Sequence, residues 1–328
     1  MDRSLGYPAN FDSRLTALTP GLSYEAFFFN RRLQTAVTAK HFLIGSRAKM
    51  LHNFYLRDIK TIHINRSEWG ANFAACYRIT PLWTVKGSVA SEVRIPTSEE
   101  LLGNSFTILP SPDLLPERSK SVIAGVLYRR PFSDDRVWEA EVIVYMSELT
   151  DMVRFTPDLL PTMARYTNFG QVRTMGLEAE VKADVTRWCY LYANGTWQDL
   201  RDRRRTFPNS KAPNPTYGLR IPNIPYLMAN FGGELHWADL FGRRQNTRLL
   251  LDASYVHRYS YDFEMGAYLE KLIPTSLTFD AAIEQSFANR RWTLTLKVKN
   301  LADRETVSEF NRPLPGRTFS VKLRYLLR

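Results

Sequence analysis

Five histidines, His41, His52, His63, His236 and His257, are the side chains best able to hold a metal or move a proton, and they are dispersed along the chain. No H-E-x-x-H pair places two imidazoles on one helical face. Neither Cys76 nor Cys189 has a second thiol or an imidazole at ligand spacing, so both read as unpaired small residues on strands. The carboxylate pairs Glu99-Glu100 and Asp134-Asp135 fall in polar stretches, where hydrophilic surface accounts for them. There is no G-x-S-x-G elbow and no glycine-rich phosphate loop. No catalytic residue, cofactor or metal is expected. What remains is cation chemistry. The run LRDRRRTF carries Arg201, Arg203, Arg204 and Arg205, suited to phosphates, an anionic ligand or plain solvation. Arginines also sit in or beside every short turn: Arg31, Arg32, Arg78, Arg130, Arg187, Arg243, Arg244, Arg290 and Arg291. These reach lipid phosphates or are simply solvated.

The elements that must position these groups are strands. Trp138-Ala140-Val142-Val144-Met146 alternates with Glu139 and Glu141, and Met175-Leu177-Ala179-Val181 with Gly176, Glu178, Glu180 and Lys182. Phe319-Val321-Leu323-Tyr325 opposes Ser320, Lys322 and Arg324. Period two with one apolar and one wet face marks strands. Thirteen are expected: 21–29, 32–44, 69–79, 82–93, 118–130, 136–149, 171–183, 188–200, 224–237, 246–259, 275–287, 291–300 and 317–327. Many exceed the usual five or six residues. No long amphipathic helix and no run of about 18 apolar residues occurs, which leaves a membrane barrel open.

Connections alternate between short and long. Asn30-Arg31, Thr80-Pro81, PFSDD, DVTR, ADLFGRRQ and ANR are short, whereas 45–68, 94–117, 150–170, 201–223, 260–274 and 301–316 are long. In a meander this sorts tight turns to one end and long loops to the other, as in outer-membrane barrels. Trp83, Trp138, Trp188, Trp237 and Trp292 lie at strand ends beside short turns, and Trp69 and Trp197 beside long loops. Indole rings favour the headgroup level, so this reads as two girdles rather than a core. The net charge of +11 is divided between the two ends, which argues against a nucleic-acid partner.

Four stretches then carry a resemblance. In RIPTSEELLGN and SPDLLPERSKSVIAGVLYR, the residues Glu99, Glu100, Leu101, Pro112, Asp113, Leu114, Pro116, Glu117 and Arg118 fit one motif, with Ser111 where Asn is usual. YTNFGQVRTMGLEAEV supplies Asn168, Gly176 and Glu178, and RIPNIPYLMANFGGEL supplies Pro222, Asn223 and Pro225. VKNLADRETV and LPGRTFSVKLRYLL supply Asn300, then Pro315, Gly316 and Arg317. In this order, across residues 94–327, they closely resemble the C-terminal part of the barrel of TonB-dependent outer-membrane receptors. Residues 1–93 match only as generic barrel strands. The motif residues also read as loop-to-strand chemistry. Prolines sit at first strand positions, Pro315-Gly316 ends a loop, and Gly176 admits a close neighbour.

The resemblance implies an all-β fold, an antiparallel up-and-down meander forming an incomplete, open part of a 22-stranded transmembrane barrel. It implies an importer of a scarce, bulky ligand of siderophore, haem, cobalamin or glycan type. The implied partners are outer-membrane lipid and lipopolysaccharide, that unknown small ligand, and the TonB–ExbB–ExbD system through a plug. The signal peptide, TonB box and plug of the family are not found in this sequence, and Leu327-Arg328 stands where a terminal aromatic is usual. Parity agrees: thirteen strands leave the first and last parallel, so roughly the first nine strands of such a barrel would be missing. Unpaired edges are expected at 21–29 and 317–327. Ligand contact is expected on the loops 201–223 and 260–274, with Tyr217, Arg220, Tyr259 and Tyr261 as candidates. Two other readings stand beside this one: a soluble basic all-β binding protein, and an outer-membrane enzyme, which would need a catalytic cluster.

Overall fold

The computed structural model describes residues 14–53, 58–104, 107–157, 164–206, 212–263, 272–288, 290–309 and 312–327. Its strands begin with β1 (Arg14–Leu18), β2 (Gly21–Phe28), β3 (Leu33–Asn53), β4 (Asp58–Arg78) and β5 (Trp83–Arg94). A short helix α1 (Ser98–Leu102) and β6 (Ile108–Leu109) precede β7 (Glu117–Pro131) and β8 (Val137–Thr150). Then come β9 (Val153–Pro157), β10 (Ala164–Asn168), β11 (Val172–Thr186), β12 (Cys189–Asp202), β13 (Leu227–Ala238) and β14 (Asn246–Val256). The chain continues through β15 (Tyr259–Ser260), β16 (Leu272–Ile273), β17 (Ser276–Phe287) and β18 (Trp292–Lys299). It closes with β19 (Val307–Glu309), β20 (Arg312–Pro313) and β21 (Thr318–Tyr325).

One antiparallel sheet takes the long strands in chain order, from β3 through β4, β5, β7, β8, β11, β12, β13, β14, β17 and β18 to β21. Both β1 and β2 pair with β3, in one register: Leu18 faces Leu43 and Gly21 faces Lys40. They are two halves of one lane, interrupted at Thr19-Pro20, so the meander is 13 lanes wide. Among the described residues, no bond joins β1 or β2 to β21, and the sheet is open. The expected edges are both present.

Register assigns the two faces. Val126, Val142 and Ala179 line up across β7, β8 and β11, as do Ala124, Val144 and Leu177. Leu296 faces Val321, and Leu294 faces Leu323, on that same apolar face. Glu180 faces Glu141 on the other face, which also carries Glu178 and Lys322. The apolar face is uncovered by protein: Val142 is 46% exposed and Leu296 45%. At the edges, where one neighbour is missing, Leu22 reaches 76% and Phe319 73%.

Glycines on the wet face let long side chains lie flat across them. Gly176 sits under the Tyr145 ring, where an added Cβ would come within 2.3 Å of it. Lys86 crosses Gly125 to pair with Glu141, and Tyr192 crosses Gly232 to donate a 2.7 Å hydrogen bond to Asp252. Two of these three contacts skip a strand.

Two expectations need correction. The stretch 45–68 is not a loop: β3 and β4 are 21 residues each and continue as a paired hairpin. Its charges suggested a loop, but each strand meets the other's backbone bonds, and β1 pairs with β3 at Leu43–Arg47. Trp69 therefore lies inside β4 rather than at its end, stacked on His41 at 4.2 Å. It sits just above Ala71, where pairing with β5 stops. At the short-turn end the girdle is built of ring pairs, Trp83 with Tyr128, Trp138 with Phe132 and Trp292 with Tyr325.

Candidate functional site at the loop rim

The long loops form a second, buried layer at one end of the sheet. It starts at α1, whose N-cap Thr97 accepts from the Glu100 N–H while Glu100 accepts from the Thr97 N–H. Arg94 then bridges Glu100 at 3.0 Å and Glu117 at 2.5 Å. Burial pushes the Glu100 carboxyl up, but the hydrogen bonds from Arg94 and Thr97 outweigh it and hold the group below the ordinary carboxylate value. Glu117 also accepts the Val153 N–H, so two loops and a strand top share one carboxylate.

The motif residues prove to be the joints of this layer. Asn168 accepts from the Leu115 N–H and donates to the carbonyls of Leu115 and Asp151. Pro116 is fully buried, and Asp113 offers its carbonyl to Arg66. Asn223, at φ 62°, donates its N–H to the Ser260 carbonyl, tying two loops together. Pro222 is buried beside it, and the Pro225 carbonyl accepts from Gln198. Asn300 closes a turn onto Arg304, and Asp303 accepts the Arg317 N–H at 2.7 Å. Gly316 is needed there, because a Cβ would stand 2.8 Å from that same Asp303 oxygen. Glu178 is exposed on the wet face of β11.

The centre of the layer is Asp202, 0% exposed at the top of β12. Its carboxylate accepts from Arg204, Thr216 and Asn214, at 2.6 to 3.1 Å for the nearest contact of each. Burial alone would raise its pKa; these hydrogen bonds hold it below the ordinary value instead. Arg204 lies on the Phe169 ring, 3.6 Å from its centroid, and packs over Gly170. Arg154 flanks the same ring at 5.2 Å and Phe263 at 6.0 Å, with the two phenyl planes 5° apart. Desolvation, then repulsion from Arg204, loosens the proton on Arg154. Two guanidiniums and two stacked rings, drawn from three loops, make a cation-rich aromatic cluster that could hold a planar or anionic group.

The four candidate ligand residues do not share one site. Tyr217 lies against Arg203, 5.5 Å from guanidinium to ring. Arg220 pairs with Asp199 at 2.7 Å and covers Tyr226. Tyr259 is buried and donates to the Ser308 carbonyl, and Tyr261 is half-buried in the following bend. Arg220 and Tyr259 line one cavity of about 440 Å³, and Tyr217 another of about 280 Å³. The loop tips 207–211 and 264–271 lie outside the described residues. Arg154 and Phe263 went unremarked in the sequence. The one available signal was Phe169, next to the motif residue Asn168.

An open curved wall with sorted loops of this kind has solved relatives. The copper transporter OprC superposes with a TM-score of 0.71 at 15% identity, covering 95% of this chain and 48% of that one. The siderophore receptor PiuA from Acinetobacter baumannii gives 0.69 at 15%, covering 96% and 44%. The ferric citrate transporter FecA in its unliganded form gives 0.68 at 15%, covering 96% and 46%. The chain thus spans about half the length of each of these three. Among curated proteins no sequence relative matches it. The family model for the TonB dependent receptor-like β-barrel matches residues 9–301, nearly the whole wall. With motif joints, face assignment and superposition in agreement, this chain belongs to the TonB-dependent receptor β-barrel family.

Proposed function

We propose that this chain is wall and outer loops of an outer-membrane importer for a scarce, bulky ligand, of siderophore, haem, cobalamin or glycan type. The carrying observation is the inverted burial: an apolar sheet face left uncovered, beside a loop layer with a buried polar centre. Hydrocarbon suits the first and excludes unpaired backbone, so further strands complete the sheet into a closed barrel. Such a barrel works with a plug and the TonB–ExbB–ExbD system. Ligand is received at the loop end, with Arg154, Arg204, Phe169 and Phe263 offering cations and rings alongside Tyr217, Arg220, Tyr259 and Tyr261.

Thiol labelling tests the placement. In a C76S/C189S background, single cysteines at Val142, Val144, Leu296, Phe319 and Leu323 should react with a lipid-soluble reagent and resist a charged one. Cysteines at Glu141, Glu178, Glu180 and Lys322 should do the reverse. Equal labelling of both sets by the charged reagent would return the chain to the soluble class. For ligand capture, alanine at the eight rim residues should abolish uptake in a receptor containing the whole barrel; unchanged uptake removes the assignment.

A further inference from the structure

The two open edges of the sheet present different charge on the wet face. On β2 that face carries Ser23, Glu25 and Phe27, opposite Thr38, Ala36 and Gln34. On β21 it carries Ser320, Lys322 and Arg324, opposite Lys297, Thr295 and Thr293. Lys299 and Lys297 on β18, then Lys322 and Arg324 on β21, form one stripe of cations down the wall. Lys297 has Asp280 at 3.7 Å, and Arg324 reaches only the Thr293 hydroxyl at 3.4 Å. Among the described residues, Lys299, Lys322 and Arg324 have no ion pair. All of β21 is exposed.

Within the wall, cations on the same face are met from neighbouring strands. Arg129 faces Glu139 across β7 and β8, and Lys86 reaches Glu141. Lys182 pairs with Glu180 along its own strand at 2.6 Å. Arg248 on β14 is held from both sides, by Glu234 of β13 at 2.5 Å and Glu284 of β17 at 3.5 Å. Lys322 and Arg324 have a neighbour on one side only, and β18 offers them two threonines. Their counter-charge is due from the open side.

The stripe also decides against a second copy of the chain. Two β21 strands laid antiparallel would set Lys322 and Arg324 against their own kind, and like charges across a ladder repel. The β2 strand of a second copy runs in the same direction as β21 and could join it only in parallel, the weaker ladder. We infer that β21 is a docking edge selective for an antiparallel strand with carboxylates facing Lys322 and Arg324 and apolar side chains beside Phe319, Val321 and Leu323. This rests on the barrel reading proposed above and adds the chemistry of the neighbouring strand.

The test uses the full chain in detergent micelles and labelled peptides of about ten residues, the length of one membrane-spanning strand. One alternates valine with glutamate, the second has glutamine for every glutamate, and the third scrambles the first. Fluorescence anisotropy should show the alternating acidic peptide held about fivefold more tightly than the glutamine one. K322E/R324E should reverse that order, and R243Q/R244Q, which removes equal charge from a distant turn, should leave it unchanged. Single K322Q, with its β-sheet circular dichroism intact, should give an intermediate loss. In a C76S/C189S background carrying S320C, a cysteine at the peptide's central glutamate position should form a disulfide. Equal binding of the acidic and glutamine peptides, equal binding of the scrambled one, or absence of the disulfide would each overturn the inference. A chain that passes the labelling test but binds the acidic and glutamine peptides alike loses the acidic pattern and keeps the barrel; one that fails the labelling test loses the barrel reading itself.

Discussion

The loop rim and the wall bury opposite kinds of group. In the rim, Leu101, Leu114, Ala164, Val172, Ile221, Tyr259 and Ile273 are buried, around a carboxylate with no exposure at all. In the wall, valines, leucines and phenylalanines are open to the surroundings. One chain therefore obeys two solvents. The rim folds as a water-soluble protein does, packing apolar side chains and satisfying its buried charge. The wall satisfies its backbone through the ladder and leaves its apolar side chains to hydrocarbon.

The strongest way to break this contrast is at Asp202. Asp202→Ala removes the carboxylate that Arg204, Asn214 and Thr216 share, leaving the half-buried Arg204 guanidinium without its counter-charge, and should cost about 3–5 kcal/mol. The loss should be confined to the rim, seen as faster amide exchange at 203–206 and 214–219 with wall amides unchanged. Acid should do the same more gently. The folded Asp202 binds its proton more weakly than the unfolded one, so its contribution is complete above about pH 3.9 and fades as pH falls through the lower folded value. Rim amides should loosen before wall amides on acidification; simultaneous loosening would join the two regions into one unit.

On the wall, Val144→Arg should cost about 2–4 kcal/mol, and Ile143→Arg, one residue away on the wet face, far less. Urea unfolding from lipid vesicles measures both, and equal costs would cancel the face assignment. Gly232→Ala should cost about 1–3 kcal/mol, because the obstacle is the Leu251 carbonyl, 2.4 Å from the added carbon. Gly176→Ala should cost less in the same assay, since the Tyr145 ring can swing away. Smallest is Thr97→Ala at α1, about 1 kcal/mol from the lost cap, visible only as faster exchange in the first turn.

These regions were also unequally legible. The wall could be read because a pleat forces period two and register then follows from neighbour to neighbour. All thirteen expected strands are there, although charges at Arg47, Lys49 and Lys60 disguised the long hairpin and Pro20 hid β1. The motif residues stood out in the sequence, but not what they join. Asn168 holds Leu115 from 53 positions away, and Arg204 lies on Phe169. Such contacts have no period. Nothing in the order of residues marks Arg154 and Phe263 as neighbours.

The glycine crossings carry a mechanical consequence. Hydrogen bonds in a sheet couple each strand only to the next, so strands can in principle shear past one another like cards. Lys86 reaching Glu141 across Gly125, and Tyr192 reaching Asp252 across Gly232, act as cross-ties over an intervening strand. Sliding that strand moves a glycine out from under its crossing side chain and brings a bulkier neighbour beneath it. The sheet thereby resists slip as a plate does, and a load applied at the rim is shared across three strands at a time.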